Sequence, residues 1–388
     1  LRVLLFTGKG GVGKSTVAAA TAAASARAGL RTLVLSTDAA HSLADAFAVP
    51  GRSEPDEVAD RLFVQQVDCQ RRFEESWGEV QEYLRGALDL AGVDPVAAEE
   101  LTVLPGAEEV MALLELRRHV RSGEWDVVVV DCAPTAETLR LLALPEALGW
   151  YLRRVLPGDR RLVRALVPAL GRAAGVPLPG EPVLEALDRL HRELDEVRQV
   201  LTSPGASVRL VLTPERLVLA EARRLWTMLS LFGYTVDGVV SNRVFPTEGH
   251  GAWVDGWVRA QGEVLADVER SFAGLRTWRV EYQPDEPVGE AALAALGAGL
   301  YGTDDPLAVV GRVPPFEVVR TAGGFLLFLR LPLVSAGDVD LVRRDDDLVV
   351  TVAGHRRVVP LPAALARLRV AGARVEDGRL QARFEEAG

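Results

Sequence analysis

A glycine-rich stretch, Gly8-Lys-Gly-Gly-Val-Gly-Lys-Ser-Thr16, lies between an apolar run, Val3-Leu-Leu-Phe6, and an alanine-rich segment over residues 17–28. No other feature restricts the fold as much. The short run reads as a buried strand, and the alanine-rich segment reads as a helix, because alanine loses least on entering one. Gly29 ends that helix, and residues 32–36 form a second apolar strand. Strand, glycine loop, helix and strand in that order make a βαβ unit, which calls for a parallel sheet.

The spacing G-x-x-x-x-G-K-[ST] belongs to loops that wrap a polyphosphate. Gly8, Gly10, Gly11 and Gly13, with Val12 among them, let backbone N–H groups converge on an anion at a helix N-terminus. Lys14 is read as bridging the β- and γ-phosphates, the Ser15 hydroxyl as a Mg2+ ligand and Thr16 as a contact to the α-phosphate. The chain has 44 lysines and arginines, yet Lys9 and Lys14 are its only lysines. Two positions spared by so strong a bias point to chemistry that needs a compact ammonium rather than a planar guanidinium fork.

Two further segments follow apolar strands. Ser36-Thr-Asp-Ala-Ala-His-Ser42 places Asp38 where it can orient or deprotonate an attacking water. Asp131, in Asp131-Cys-Ala-Pro-Thr-Ala-Glu-Thr138, ends the Val127–Val130 strand and would hold Mg2+ through water. His41 reads as a local hydrogen-bonding residue and Cys132 as a small packing residue.

Bulk numbers bound the rest. A net charge of −10 argues against nonspecific binding to DNA or anionic membranes. Cys69 and Cys132 make neither a disulfide framework nor a zinc site, which fits a reduced cytoplasm. No apolar run is long enough to span a bilayer, and Leu1 leads directly into a strand with no signal-peptide pattern.

Further strands are expected at 208–212 and 236–240, and long helical stretches at about 71–121 and 139–201. The leucine-rich part, 139–178, reads as a core-facing amphipathic layer or as a client or dimer surface. Residues 303–315, with three prolines, read as a linker. Beyond it the period becomes two: Phe325, Leu327, Leu329 and Leu331 share one face, Leu348, Val350 and Val352 another, and Leu380, Ala382 and Phe384 a third. With turn signals at Asp345-Asp-Asp347 and Asp377-Gly378, residues 316–388 read as an all-β sandwich. The fold class is therefore α/β, with a mostly parallel sheet, a helical subdomain and a C-terminal β-sandwich.

GKGGVGKST, STDAAHSLADAF, DCAPTAETLRLLALP and SNRVFP occur in that order. Together they resemble the arsenite-pump and tail-anchored-protein-targeting ATPases, which are deviant P-loop NTPases. The resemblance covers residues 1–302 and implies a homodimer that closes when ATP binds. It implies that Lys9 acts in trans on the neighbouring subunit's γ-phosphate, as an arginine finger would. Lys14, Ser15 and Thr16 would bind phosphate and Mg2+, Asp38 would activate water, and Asp131 would be the switch carboxylate. Pro134 belongs to the nucleotide-contacting set, as do Glu215 in Thr213-Pro-Glu-Arg216 and Asn242 in Ser-Asn-Arg, the latter reading adenine. Residues 316–385 resemble the α-crystallin sandwich of small heat-shock proteins, through Leu348–Arg357, Leu361-Pro362 and Ala373–Leu380, although the chain shows no I-x-I/V tail.

Departures matter equally. Ala39 stands for a proline in the first switch, and Ala136-Glu137 stand for Gly-His in the second. The stretch Gly251–Trp257, comparable to the zinc clasp of the eukaryotic targeting factors, has no cysteine, so no zinc is expected. One ATPase half and no cysteine cluster argue against an arsenite-pump subunit. The expected function is a cytoplasmic Mg-ATP-driven homodimer that binds and releases a hydrophobic protein client, without nucleic acid and with only indirect membrane contact. The alternatives are a ParA/MinD-like positioning ATPase and a regulatory scaffold.

Overall fold

A computed structural model describes residues 1–37, 42–67, 107–133, 181–247, 251–309, 316–321 and 323–386. The chain divides into two compact units, one of residues 1–66, 123–139 and 201–388, the other of residues 67–122 and 140–200.

The first unit is built on a sheet of β1 (Arg2–Thr7), β2 (Thr32–Ser36), β3 (Asp56–Ala59), β4 (Leu62–Gln66), β5 (Val127–Asp131), β6 (Ala206–Leu212), β7 (Val236–Val244) and β8 (Arg276–Glu281). Their order is β3-β4-β2-β5-β1-β6-β7-β8. Every pairing is parallel except β3 with β4 at one edge. The central strands are apolar at nearly every position, as a sheet covered on both faces requires. In the β1–β5 register Phe6 faces Asp131. The loop after β1 and the end of β5 therefore lie side by side at the sheet's carboxyl edge, where α/β sheets bind ligands.

Helix α1 (Lys14–Arg27) begins inside the glycine loop, one turn earlier than the alanine run suggests. It is buried on almost every side, and its small alanines admit a second helix closely. The covering helices are α2 (Ser42–Phe47), α5 (Arg216–Leu231), α6 (Ala252–Ser271) and α7 (Glu290–Tyr301). In the other unit, α3 (Ala107–Ser122) and α4 (Glu181–Leu201) are joined by Arg117, which pairs with Glu193 at 3.3 Å and Glu196 at 2.5 Å. Residues 71–106 and 139–180, which carry most of the anticipated client surface, lie outside the described residues. Among the described residues no helix is long and apolar enough to cross a membrane.

A buried ionic knot fastens the far side of the sheet. Asp237 receives Arg209 through Nη2 at 2.8 Å and Nε at 3.2 Å, Arg2 at 3.0 Å and the Ser207 hydroxyl at 2.8 Å. Arg209 also donates to the Tyr301 hydroxyl at 2.9 Å and to the Pro306 carbonyl at 3.0 Å, and Arg2 donates to the Leu307 carbonyl at 3.1 Å. Residues 304–307 of the stretch read as a linker are thus bound to the sheet. Residues 310–315 are outside the described set.

The C-terminal strands are β9 (Phe316–Thr321), β10 (Gly324–Arg330), β11 (Val339–Arg344), β12 (Asp347–Val352), β13 (His355–Pro360), β14 (Arg369–Glu376) and β15 (Arg379–Glu385). They form an antiparallel sheet β14-β15-β10-β9 and a second, β11-β12-β13. Asp377-Gly378 and Ala353-Gly354 have positive φ throughout and make two-residue hairpin turns. Asp345 has positive φ at the β11–β12 turn, and Asp347 already belongs to β12. The expected inward faces hold: Leu327, Leu329, Leu331, Leu348, Val350, Val352, Leu380, Ala382 and Phe384 are all buried together, with Phe325 packed at the margin.

That cluster does not close on itself. Met228 and Leu231 of α5 are buried members of it. The Thr227 hydroxyl donates to the Pro332 carbonyl at 2.7 Å, and Arg357, itself buried, donates to the Leu231 carbonyl. The sandwich is seated on the C-terminal turn of α5.

Candidate functional site

The glycine loop turns from β1 into α1. A Cβ on Gly8 would lie 2.1 Å from the Val211 carbonyl oxygen of β6, so only glycine lets the loop pass that strand. Gly13 has φ 87°, and a Cβ there would meet the Asn242 amide nitrogen at 2.3 Å. These two positions set the course of the loop. Gly10 and Gly11 lie exposed along it, and Val12 is buried beneath. Lys14, the first residue of α1, is 7% exposed, and its ammonium rests 3.4 Å from the Lys9 carbonyl oxygen. Ser15 and Thr16, half-buried, follow in the same turn, and Lys9 is half-buried at the loop's tip.

Asp131 is 1% exposed at the end of β5. Sequence reasoning missed the residue that organises its surroundings. Thr37 donates its backbone N–H to the Asp131 carbonyl at 3.0 Å and its hydroxyl to the same oxygen at 3.3 Å, and that hydroxyl accepts the Ala133 N–H at 3.3 Å. The ends of β2 and β5 are therefore stitched together at the phosphate loop. Asp38 comes next in sequence, but it and Pro134 lie outside the described residues, as do Ala39, Ala136 and Glu137.

Cys132 reports the charges nearby. Burial first, and the Asp131 carboxylate second, push its thiol well above the ordinary range, while Lys14 opposes. The thiol stays neutral and fills space, as its sequence context suggested. Asp131 and Lys14 both act on one sulfur, so carboxylate and ammonium share one region.

Glu215 is exposed just beyond β6 and precedes the first turn of α5. Its carboxylate accepts from the Thr213 hydroxyl at 3.0 Å and makes no capping bond. Asn242 is 7% exposed near the end of β7. Its Nδ2 donates to the Val12 carbonyl at 2.8 Å, and its Oδ1 accepts from the Arg243 N–H at 3.0 Å.

A cavity of about 280 Å³ opens beside Gly13 and Thr16, walled by Asn242, Arg243 and the run from Val280 to Pro287. It approaches the ordinary lower size of small-molecule sites, about 300 Å³. The strand leading to this wall, β8, was not anticipated. Its signal was present as alternation, since Trp278 and Val280 are buried between exposed neighbours. Tyr282 stacks on Phe245 with centroids 5.6 Å apart and planes at 7°. Gly251–Trp257 forms the start of α6 and carries exposed Trp253 and Trp257.

Residues 1–302 match the ArsA family of anion-transporting ATPases. The chain belongs to this family. It is an ATPase with a large, mostly parallel α/β sheet, and residues 322–384 match the HSP20-like domain found in ArsA. Relatives align along nearly the whole chain. A protein of Chlorobaculum tepidum, provisionally named an arsenical pump-driving ATPase, is 34% identical across 99% of this chain and 96% of its own. One of Aquifex aeolicus, with the same provisional name, is 32% identical across 98% and 99%. An uncharacterized Streptomyces coelicolor protein is 40% identical across 99% and 97%.

Proposed function

We propose that this ATPase works as an Mg-ATP-hydrolysing homodimer whose closure on nucleotide is coupled to binding and releasing a hydrophobic protein segment. The observation that carries the hydrolytic part is the convergence at one sheet edge of buried Lys14, Ser15, Thr37 and buried Asp131. Lys14 would hold the β- and γ-phosphates, and the cavity lined by Tyr282–Pro287 would take the base.

The donor set suits Mg2+, which prefers hard oxygens and keeps several waters. The Ser15 hydroxyl would ligate it directly and the Asp131 carboxylate through water; bound there, the ion would neutralise charge on the phosphate oxygens. Asp38, directly after Thr37, would accept a proton from the attacking water. The water oxygen bonds to the γ-phosphorus, the bond to the β-bridging oxygen breaks, and ADP leaves with the electron pair. Lys9, at the loop tip, would reach the neighbouring subunit's γ-phosphate. The family resemblance and the sparing of lysine at residue 9 support that role.

The client part is supported by the leucine-rich sequence at 139–178. A protein segment with exposed apolar side chains is the ligand such a layer fits. A second reading follows from the relatives' names, a motor for an arsenical pump. Trapping arsenic(III) needs thiolates, whereas the chain has two cysteines and Cys132 is buried and neutral. Asp38→Asn should bind ATP without hydrolysing it and should retain a client through pull-down. Turnover of that variant at the wild-type rate would remove Asp38 from the mechanism. Stimulation of wild-type turnover by arsenite, with no client retained, would favour the pump reading.

A further inference from the structure

We infer that Arg330 and Arg379 form a carboxylate-binding site on the outer face of the sandwich's four-stranded sheet, and that its ligand is an extended protein segment carrying apolar side chains beside an acidic one. The site belongs to the sandwich and is independent of the nucleotide reading above. Arg330 ends β10 and Arg379 opens β15, and the ladder sets them directly opposite each other. Their chain neighbours Leu329, Leu331 and Leu380 are buried, so both arginines point outward. The Leu331 N–H donates to the Gly378 carbonyl at 2.8 Å. That bond makes 330 and 379 a non-hydrogen-bonded pair, the kind whose side chains stand closer.

Like charges directly opposite in a sheet repel. The carboxylates on this face are engaged elsewhere. Glu385 pairs with Arg383 at 3.1 Å and Arg369 at 3.5 Å, and Glu376, across the ladder from Arg379, pairs with Arg374 at 3.2 Å. Glu317 stands opposite Phe328, two residues short of Arg330. Among the described residues, neither Arg330 nor Arg379 has an ion-pair or side-chain hydrogen-bonding partner. Burial first, and the Arg379 charge second, hold the half-buried Arg330 guanidinium below its ordinary value. Two guanidinium forks with unused donors fit one carboxylate, whose oxygens can each accept twice. The apolar part of the ligand follows from the same strand. Leu326 and Phe328, half-buried, share the outer face with Arg330, and Val319 of β9, 38% exposed, lies opposite Leu326. Residues two apart on an extended chain are about 6.8 Å apart. A segment with an apolar side chain two residues from a carboxylate therefore matches Phe328 and Arg330 together, whereas a free anion would leave the apolar row uncovered.

The test titrates two fluorescein-labelled peptides into the full-length protein. One alternates leucine and glutamate, and the other has glutamine for every glutamate. Wild type should favour the acidic peptide. Arg330→Gln and Arg379→Gln should each weaken that binding about tenfold and leave the glutamine peptide unchanged. The double variant should no longer tell the two peptides apart. A double variant that kept wild-type affinity for the acidic peptide, or a wild type that bound neither peptide, would overturn the inference. So would displacement of the acidic peptide by an equal concentration of inorganic phosphate, which would mark a free-anion site. Urea unfolding gives a check without ligand. Arg379→Gln, at an exposed position, should be at least as stable as the wild type, because it relieves repulsion. A clear loss of stability would show that a partner within the chain already occupies the pair, and would refute the site.

Discussion

Replacing Leu231 by alanine tests whether the sandwich and the ATPase sheet share one core. Leu231 ends α5 and is fully buried, yet the cluster it joins is otherwise made of sandwich residues apart from Met228. The substitution removes three carbons, worth about 0.8 kcal/mol each. A residual cavity between a helix and two sheets adds to this, giving about 3 kcal/mol in all, within the usual range of about 2–5 for buried leucine. The loss should be felt on the far side of the contact. Amides of β10 and β12, more than ninety residues away in sequence, should exchange about a hundredfold faster, as about 3 kcal/mol implies when opening is the rate-setting equilibrium. Hydrogen exchange followed by mass spectrometry reads both strands and α5 in one experiment. If β10 and β12 keep wild-type protection while α5 frays, the sandwich is an independently stable module and the shared-core argument fails. The same geometry predicts that a chain ending before residue 316 will expose Met228 and Leu231 and self-associate, so deletion is a poor way to assign function to the sandwich.

Asp237→Asn would leave two buried guanidinium groups, Arg2 and Arg209, without their common counter-charge, and should destabilise the protein by about 3–5 kcal/mol in urea unfolding; a loss under 1 kcal/mol would mean the knot is not an electrostatic unit. Gly8→Ala should abolish ATP binding, because its Cβ would meet the Val211 carbonyl; near-wild-type affinity by calorimetry would contradict the close-approach argument. The Cys132 pKa is raised in the fold, so its stabilising effect is complete below the unfolded thiol's ordinary value and declines as pH rises above it. Peptide mapping after alkylation at pH 8 should therefore find Cys132 unlabelled until the protein unfolds, and labelling at the rate of an exposed thiol would disprove its burial.

Much of this could be read locally. The phosphate loop, α1, β1, β2, β5, β6 and β7 announce themselves because glycine spacing, alanine content and apolar runs act within one element. The sandwich announces itself through period-two alternation and its turns. Edge strands were harder. In β8 only Trp278 and Val280 point inward, and β3 has no buried position, so the apolar signal is thin. Thr37 was invisible as a site residue because its importance lies in bonds to Asp131 and Ala133, about 95 positions on. The Arg2–Arg209–Asp237 knot was hidden for the same reason: charged residues in strands normally read as exposed positions.

The amino-acid sequence alone showed the phosphate-loop motif, the parallel sheet it calls for and the C-terminal sandwich, because glycine spacing, apolar runs and period-two alternation are patterns a few residues long. Tertiary structure alone decided where Asn242 spends its hydrogen bonds and that the sandwich core is completed by α5. Both are contacts between residues about a hundred or more positions apart. No local pattern encodes a bond whose acceptor, the Val12 carbonyl, is the same atom in every amino acid.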